Sequence, residues 1–254
     1  MTIEQLKQLK KEKGYTYAQI SELSGVPLGT VQKLLNGETK SPRYNTLQAL
    51  DKAFGESCVS ENALDYQTAD EQAEHEGENT IDDYRNYPQD KRVELIDGVF
   101  YDMAAPTTLH QRIVVELLSQ LSEFIKKHHG KCIPFVAPVD VQLFQDDYTM
   151  VQPDVLVICN EEKLKSWGIF GAPDFAVEVL SDSSRKKDTI KKLDKYESAG
   201  VREYWIVDPA QKCVFVYFFE GERYSAVYPM NLKIPVNIYD GKLQIDLSVL
   251  MGIM

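Results

Sequence analysis

Three side chains far apart in the chain carry the chemistry that the sequence suggests. Glu178 lies inside the apolar run Phe175-Ala176-Val177-Glu178-Val179-Leu180. An ionised carboxylate there loses its water unless a metal, a cation or several hydrogen-bond donors replace it. Asp154 follows Pro153 and opens a second apolar run, Val155-Leu156-Val157-Ile158, which puts an acid at the mouth of a buried strand. Two acids so placed suit Mg²⁺, which prefers oxygen ligands, keeps several waters and takes one or two carboxylates together with substrate phosphate oxygens. A predicted helix over 184–199 carries Asp188, Lys192 and Tyr196 at spacings of four, on one stripe, so a lysine ammonium can reach the acids. Plainer readings stand beside these. Asp188 and Lys192 also read as a surface ion pair, Asp154 as a turn cap, and Lys191 and Lys195 compete with Lys192 for its role. Glu178 is the hardest to dismiss, because glutamate is almost never buried unpaired.

The elements that must position these groups begin at Val93. VELIDGVFYDM holds two short apolar runs around Asp97-Gly98, the dipeptide favoured by a two-residue type I′ hairpin. Pro106, Thr107 and Thr108 open a long helix whose apolar face is Ile113, Val114, Leu117, Leu118, Leu121 and Ile125, ended at Gly130. His128 and His129 near its end read as complements to the helix dipole. Strands recur at CIPFVAPVDVQLF, PDVLVIC, DFAVEVL, REYWIVD and CVFVYFF. Runs apolar on both faces belong in the middle of a covered sheet, so a mixed α/β domain is expected over 91–254.

Residues 1–55 read instead as four or five short helices. Thr16 is an N-cap for a helix carrying Ile20 and Leu23 and ended at Gly25. A further helix follows with Val31, Leu34 and Leu35 inward and stops at Asn36-Gly37, and another runs from 45 to 54. Two short helices joined by a tight turn are the arrangement in which one helix braces the duplex while the next enters the major groove. The net charge of −11 is unevenly spread: residues 1–55 hold eight Lys/Arg against five Asp/Glu, residues 56–90 hold one against eleven, and residues 91–254 hold nineteen against twenty-three. The acidic middle has few large apolar residues and reads as a linker, spanning roughly 30 Å as a loose chain.

The run ISELSGVPLGTVQKLLNGETKSPRYNTLQAL resembles the helix-turn-helix of the XRE family of phage-repressor type. That resemblance implies a DNA-binding bundle in which Leu28, Gly29 and Lys33 face base edges, with Thr30, Gln32 and Asn36 beside them and Lys40 and Arg43 adding phosphate attraction. Tyr17 stands where the family often has a phosphate-binding Gln. The C-terminal part resembles the PD-(D/E)XK nuclease superfamily, and within it the Uma-two family of restriction-endonuclease-like proteins, through VELIDG, LHQRIVVELL, VQPDVLVI, PDFAVEVLSDSS and DTIKKLDKYESAGVREYWIVDP. The implied activity is hydrolysis of a DNA phosphodiester with a divalent metal, Mg²⁺ or Mn²⁺. Asp154 and Glu178 would hold it, Lys192 would act on water or transition state, and Glu94 and His110 would line the pocket. Two departures from the pattern are Leu180, where the superfamily has its usual Lys, and Asp182, where the family commonly has Pro.

Together these give a two-domain expectation: an all-α helix-turn-helix bundle (1–55), an acidic linker (56–90) and an α/β restriction-endonuclease-like domain with a mixed central sheet (91–254). The expected function is a DNA-binding endonuclease acting on double-stranded DNA. The alternative is a transcriptional regulator whose nuclease-like domain is inactive and serves dimerisation or sensing, so a homodimer is admitted. Nothing in MTIEQLKQLKKEKGY reads as a secretory signal and no apolar run approaches a membrane span, so a cytoplasmic protein with no membrane partner is the default expectation. Cys58, Cys132, Cys159 and Cys213 are too scattered to suggest a zinc site or disulfide framework, and Cys159 and Cys213 read as buried thiols.

Overall fold

The computed structural model describes residues 16–39, 77–88, 90–144, 146–181, 191–221 and 223–253, with isolated positions between 7 and 50. In the N-terminal part, α1 (Tyr17–Ser24) and α2 (Leu28–Leu35) form as the sequence predicts. Thr16 closes a capping box with Gln19, and Gly25 ends α1 in the left-handed conformation. Ile20, Val26, Val31, Leu34, Leu35 and Leu50 make the small core.

The larger part is built on two six-stranded sheets. The elements are α3 (Ile81–Arg85), β1 (Val93–Ile96), β2 (Val99–Asp102), α4 (Thr108–Lys127), β3 (Ile133–Val136), β4 (Val141–Gln142), β5 (Met150–Val151), β6 (Val155–Ile158), β7 (Leu164–Lys165), β8 (Gly168–Phe170), β9 (Phe175–Val179), α5 (Leu193–Ala199), β10 (Glu203–Asp208), β11 (Cys213–Phe218), β12 (Tyr224–Pro229), β13 (Ile234–Val236) and β14 (Leu243–Ile245). The main sheet runs β12-β11-β10-β9-β6-β3, with β9 and β10 parallel and its other pairs antiparallel. The second runs β2-β1-β5-β4-β8-β7, and β13 with β14 makes a small hairpin.

Alternation along the main strands sorts the core into two layers. Val155, Val157, Phe175, Val177, Trp205 and Val207 face α4 and the β13–β14 hairpin. Leu156, Ile158, Ala176, Leu180, Tyr204 and Ile206 face the other way, against Ile96, Val141, Val151 and Ile169 of the second sheet and against α5. Glu178 falls between Ala176 and Leu180, so the pleat points it into the layer between the sheets. Glu94 shares a face of β1 with Ile96 and enters that layer from the opposite side.

Three expectations need correction. The stretch read as linker to residue 90 is structured from residue 77: Gly77 N donates to Asp97 O, Ile81 N donates to Asp147 O, and Ile81 is buried with Leu95 and Met150. A few apolar residues and backbone pairing on the β1–β2 turn offset the ordering cost that acidic composition had suggested was unmet. CIPFVAPVDVQLF is two strands, β3 and β4, because the Ala137–Pro138 corner separates them. The helix expected over 184–199 is helical where described, in a wider turn at Lys191 and Lys192 and as an α-helix from Leu193 to Ala199, and its start, with Asp182 and Asp188, lies outside the described residues. Cys159 is not a free thiol but is bonded to Cys132, while Cys213 is free and buried. The β3–β6 register, which sets Ile133 opposite Ile158, brings the two flanking cysteines face to face. Among the described residues, no helix is long and apolar enough to cross a membrane.

The hairpin turn takes the predicted form, with φ of 50° at Asp97 and 73° at Gly98. A Cβ on Gly98 would run into the Gly77 carbonyl. Gly98→Ala is therefore expected to cost more than about 1 kcal/mol, seen as a lower thermal midpoint, whereas Gly29→Ala, facing open space on α2, does not lower it.

Glu203 is fully buried at the start of β10 and accepts from Trp205 Nε1 (2.7 Å), Asn237 N (2.6 Å), Asn237 Nδ2 (2.7 Å) and Ile238 N (2.9 Å). Burial outweighs these donors and pushes its pKa up to about 7. An acid whose folded pKa is raised binds its proton more tightly when folded, so its stabilisation is full below the unfolded value near 4.5 and is lost as pH rises through about 7. Thermal midpoints measured from pH 4.5 to 8 should carry this declining component, and Glu203→Gln should remove it.

Candidate active site and DNA-facing helix

Antiparallel pairing of β6 with β9 sets Val155 opposite Val177, so Asp154 lies one step further on, across from Glu178. Asp154 Oδ2 accepts from Val179 N at 2.8 Å and contacts His110 Nε2 at 3.1 Å. His110 comes from the first turn of α4, which Thr107 caps by accepting from His110 N. The second acid is held differently. Lys192 Nζ, 2 % exposed, lies 2.7 Å from Glu178 Oε1 and 2.8 Å from Glu94 Oε1, and Tyr196 OH donates to the same Glu178 oxygen at 2.8 Å. Glu94 Oε1 also accepts from Gln152 N at 2.9 Å. The ammonium thus fills the gap between the two sheets and joins one carboxylate from each.

All five residues proposed from the sequence for this site, Glu94, His110, Asp154, Glu178 and Lys192, are brought together. Four of them (His110, Asp154, Glu178 and Lys192) line a cavity of about 390 Å³, shared with Arg92, Asp102, Gln111 and Ser181 among others. Glu94 sits behind Lys192, fully buried. Asp188 is outside the described residues; Lys191 bonds Tyr101, Lys195 pairs with Asp97 at 2.6 Å, and Lys192 is the lysine whose ammonium contacts Glu94 and Glu178. A cavity of about 440 Å³ elsewhere, lined by Phe144, Lys163 and Phe170 among others, holds none of the proposed site residues.

The donor chemistry fits a hard, water-retaining dication. Asp154 and Glu178 line the cavity with carboxylates, the Val179 N and His110 contacts of Asp154 both fall on Oδ2, and among the described residues the wall carries more carboxylate than cationic charge. Among the described residues no group of three or more His, Cys, Asp or Glu forms a protein cage.

Sequence reasoning gave no role to Tyr196 at Glu178, although the spacing of four from Lys192 was its signal, and it missed Gln152 and Arg92. In the helix-turn-helix, Leu28, Gly29, Gln32, Lys33 and Asn36 are exposed along α2 and Thr30 is half-buried. Asn36 Oδ1 accepts from Tyr17 OH at 2.9 Å, so that side chain is tied to α1. Lys40 and Arg43 lie outside the described residues.

Removing the ammonium leaves two buried carboxylates facing each other. Lys192→Met is expected to destabilise by about 3–5 kcal/mol, read by denaturant unfolding, and Glu94→Gln added to it should recover part of the loss by deleting one of the stranded charges.

The comparisons agree with this architecture. A family model described as "Helix-turn-helix" matches residues 6–59, and one described as "Putative restriction endonuclease" matches residues 81–237. A crystal structure from Anabaena variabilis, described as a "putative nuclease", superposes with a TM-score of 0.56 at 24% identity, covering 68% of this chain and 97% of that one, and so supports the fold. No curated protein is similar enough to count as a relative. With more than half of its length matched, the chain belongs to the Uma-two family, whose description is "Putative restriction endonuclease".

Proposed function

We propose that the protein is a divalent-metal-dependent deoxyribonuclease whose helix-turn-helix brings it to duplex DNA. The observation that carries the reading is the convergence of Asp154, Glu178 and Lys192 on one cavity. Asp154 and Glu178 are the residues that would hold Mg²⁺ or Mn²⁺, which when bound lowers the pKa of a coordinated water and neutralises charge on the phosphate. The remaining work belongs to the chain itself. Val179 N and His110 fix the Asp154 carboxylate through Oδ2, and Lys192 with Tyr196 fixes Glu178 through Oε1. Lys192 also keeps Glu94 and Glu178 from repelling each other across the sheets. Tethering adds a concentration effect: once α2 engages the duplex, the second encounter is intramolecular, so a weakly binding module still raises the local concentration of DNA at the cavity. The exposed α2 face offers Lys33 for phosphate attraction, but Leu28 and Gly29 bring no side-chain hydrogen bonds to base edges. Backbone-directed, salt-sensitive binding therefore follows.

Incubating supercoiled plasmid with Mg²⁺ or Mn²⁺ tests the reading. The wild type should nick or linearise it, chelation should stop this, and Asp154→Ala should lower the rate by at least about 100-fold with the protein still folded by circular dichroism. Equal cutting by the variant, or none by the wild type with either metal, would reject the assignment; a footprint of paired half-sites without cutting would favour a regulator.

A further inference from the structure

We infer that Arg92 is the phosphate-binding residue of this cleft, holding a DNA phosphodiester at Asp154 and Glu178, and that Gln152 is the residue that positions it. The inference rests on the nuclease reading and names the substrate contact that reading lacks.

A cavity walled by Asp102, Asp154 and Glu178, with Glu94 behind, repels a phosphodiester unless a cation faces it. Lys192 does not serve, because its ammonium is buried between Glu94 and Glu178 and its charge is matched there. Arg92 is the other cation lining the cavity among the described residues, and it is exposed. Its side chain makes one hydrogen bond, from Nη2 to the neutral Oε1 of Gln152 at 3.3 Å, and no ion pair among the described residues. A guanidinium has five N–H groups in a planar fork and is always charged, which matches two phosphate oxygens at once. Arg92 also precedes Glu94 by two residues, which sets both on one side of the β1 chain.

The orientation of the Gln152 amide is settled by its other partners. Its Nε2 donates to Asp140 Oδ1 at 2.8 Å and to Tyr84 OH at 3.1 Å, and Tyr84 OH in turn donates to Asp140 Oδ1 at 2.8 Å. With its nitrogen so engaged, the amide must turn its oxygen toward Arg92. The backbone N–H of the same residue donates to Glu94. Gln152 thus links the guanidinium to the carboxylate cluster.

The test uses the full-length protein and two readouts. The first is the plasmid dependence of Mn²⁺-supported nicking. The second is titration in Ca²⁺ with the dinucleotide TpT, followed by the phosphorus resonance of the probe, which is too short to span the helix-turn-helix. Arg92→Ala should raise KM for plasmid by about 10-fold with kcat within about threefold, the loss of one charge-assisted contact, and should abolish TpT binding, while its thermal midpoint stays that of the wild type. Arg92→Lys should restore part of both. Gln152→Leu should weaken KM less than Arg92→Ala, and adding it to Arg92→Ala should cost nothing more. An unchanged KM together with unchanged TpT binding in Arg92→Ala would overturn the inference while leaving the nuclease reading in place. TpT binding that depends on Arg92 in a protein that cuts no DNA would retain the phosphate site and remove the nuclease; a wild type that neither binds TpT nor cuts removes both.

Discussion

A single buried ammonium organises this site. Lys192 stands between Glu178 on the main sheet and Glu94 on the second sheet, with both contacts under 3 Å and almost no access to solvent. Stacked sheets lie about 10 Å apart, a gap normally filled by apolar side chains, as it is elsewhere in this layer. Placing two carboxylates in it is costly unless a positive charge lies between them. The lysine satisfies that requirement and in doing so fixes Glu178 beside Asp154. The geometry of the cavity follows from this arrangement: the acids converge because the pleat points Glu178 and Glu94 inward and the β6–β9 register brings Asp154 across from Glu178.

The same arrangement leaves the Lys192 ammonium engaged by Glu94 and Glu178. Its charge is matched there, and the described cavity wall carries Asp102, Asp154 and Glu178, so on the proposed reading a phosphodiester needs a dication and a second cation to approach. Arg92 is anchored by Gln152, and Gln152 also meets Glu94, Asp140 and Tyr84. Tyr84 belongs to the segment that arrives from the acidic stretch and lies on the β1–β2 turn. The segment that leads from residue 77 into the α/β part is therefore joined to the polar network behind the cavity.

What could be read from the sequence was what leaves a conflict in local pattern. Glu178 and Asp154 stand out because charge interrupts runs that otherwise demand burial, and Lys192 because its helix stripe leads back toward them. Glu94 and His110 had no such signal and came through the family resemblance. Strands of two or three residues such as β4, β5, β7 and β8 are too short for a period to show, so the second sheet was not foreseen even though it supplies Glu94. The Cys132–Cys159 pair depends on a strand register between segments 27 residues apart, which spacing does not encode. Arg92 was invisible because an exposed arginine is the ordinary condition of that residue; its meaning appears only once the cavity and the neutral partner are seen.

On the proposed reading Asp154 and Glu178 share a hydrated dication within reach of Lys192. Anomalous diffraction from crystals soaked in Mn²⁺ addresses it directly. One strong peak is expected in the cavity, bonded to a carboxylate oxygen of each acid, with the Lys192 contacts to Glu94 and Glu178 retained. A fully soaked crystal with its manganese elsewhere and none between these two carboxylates would contradict it.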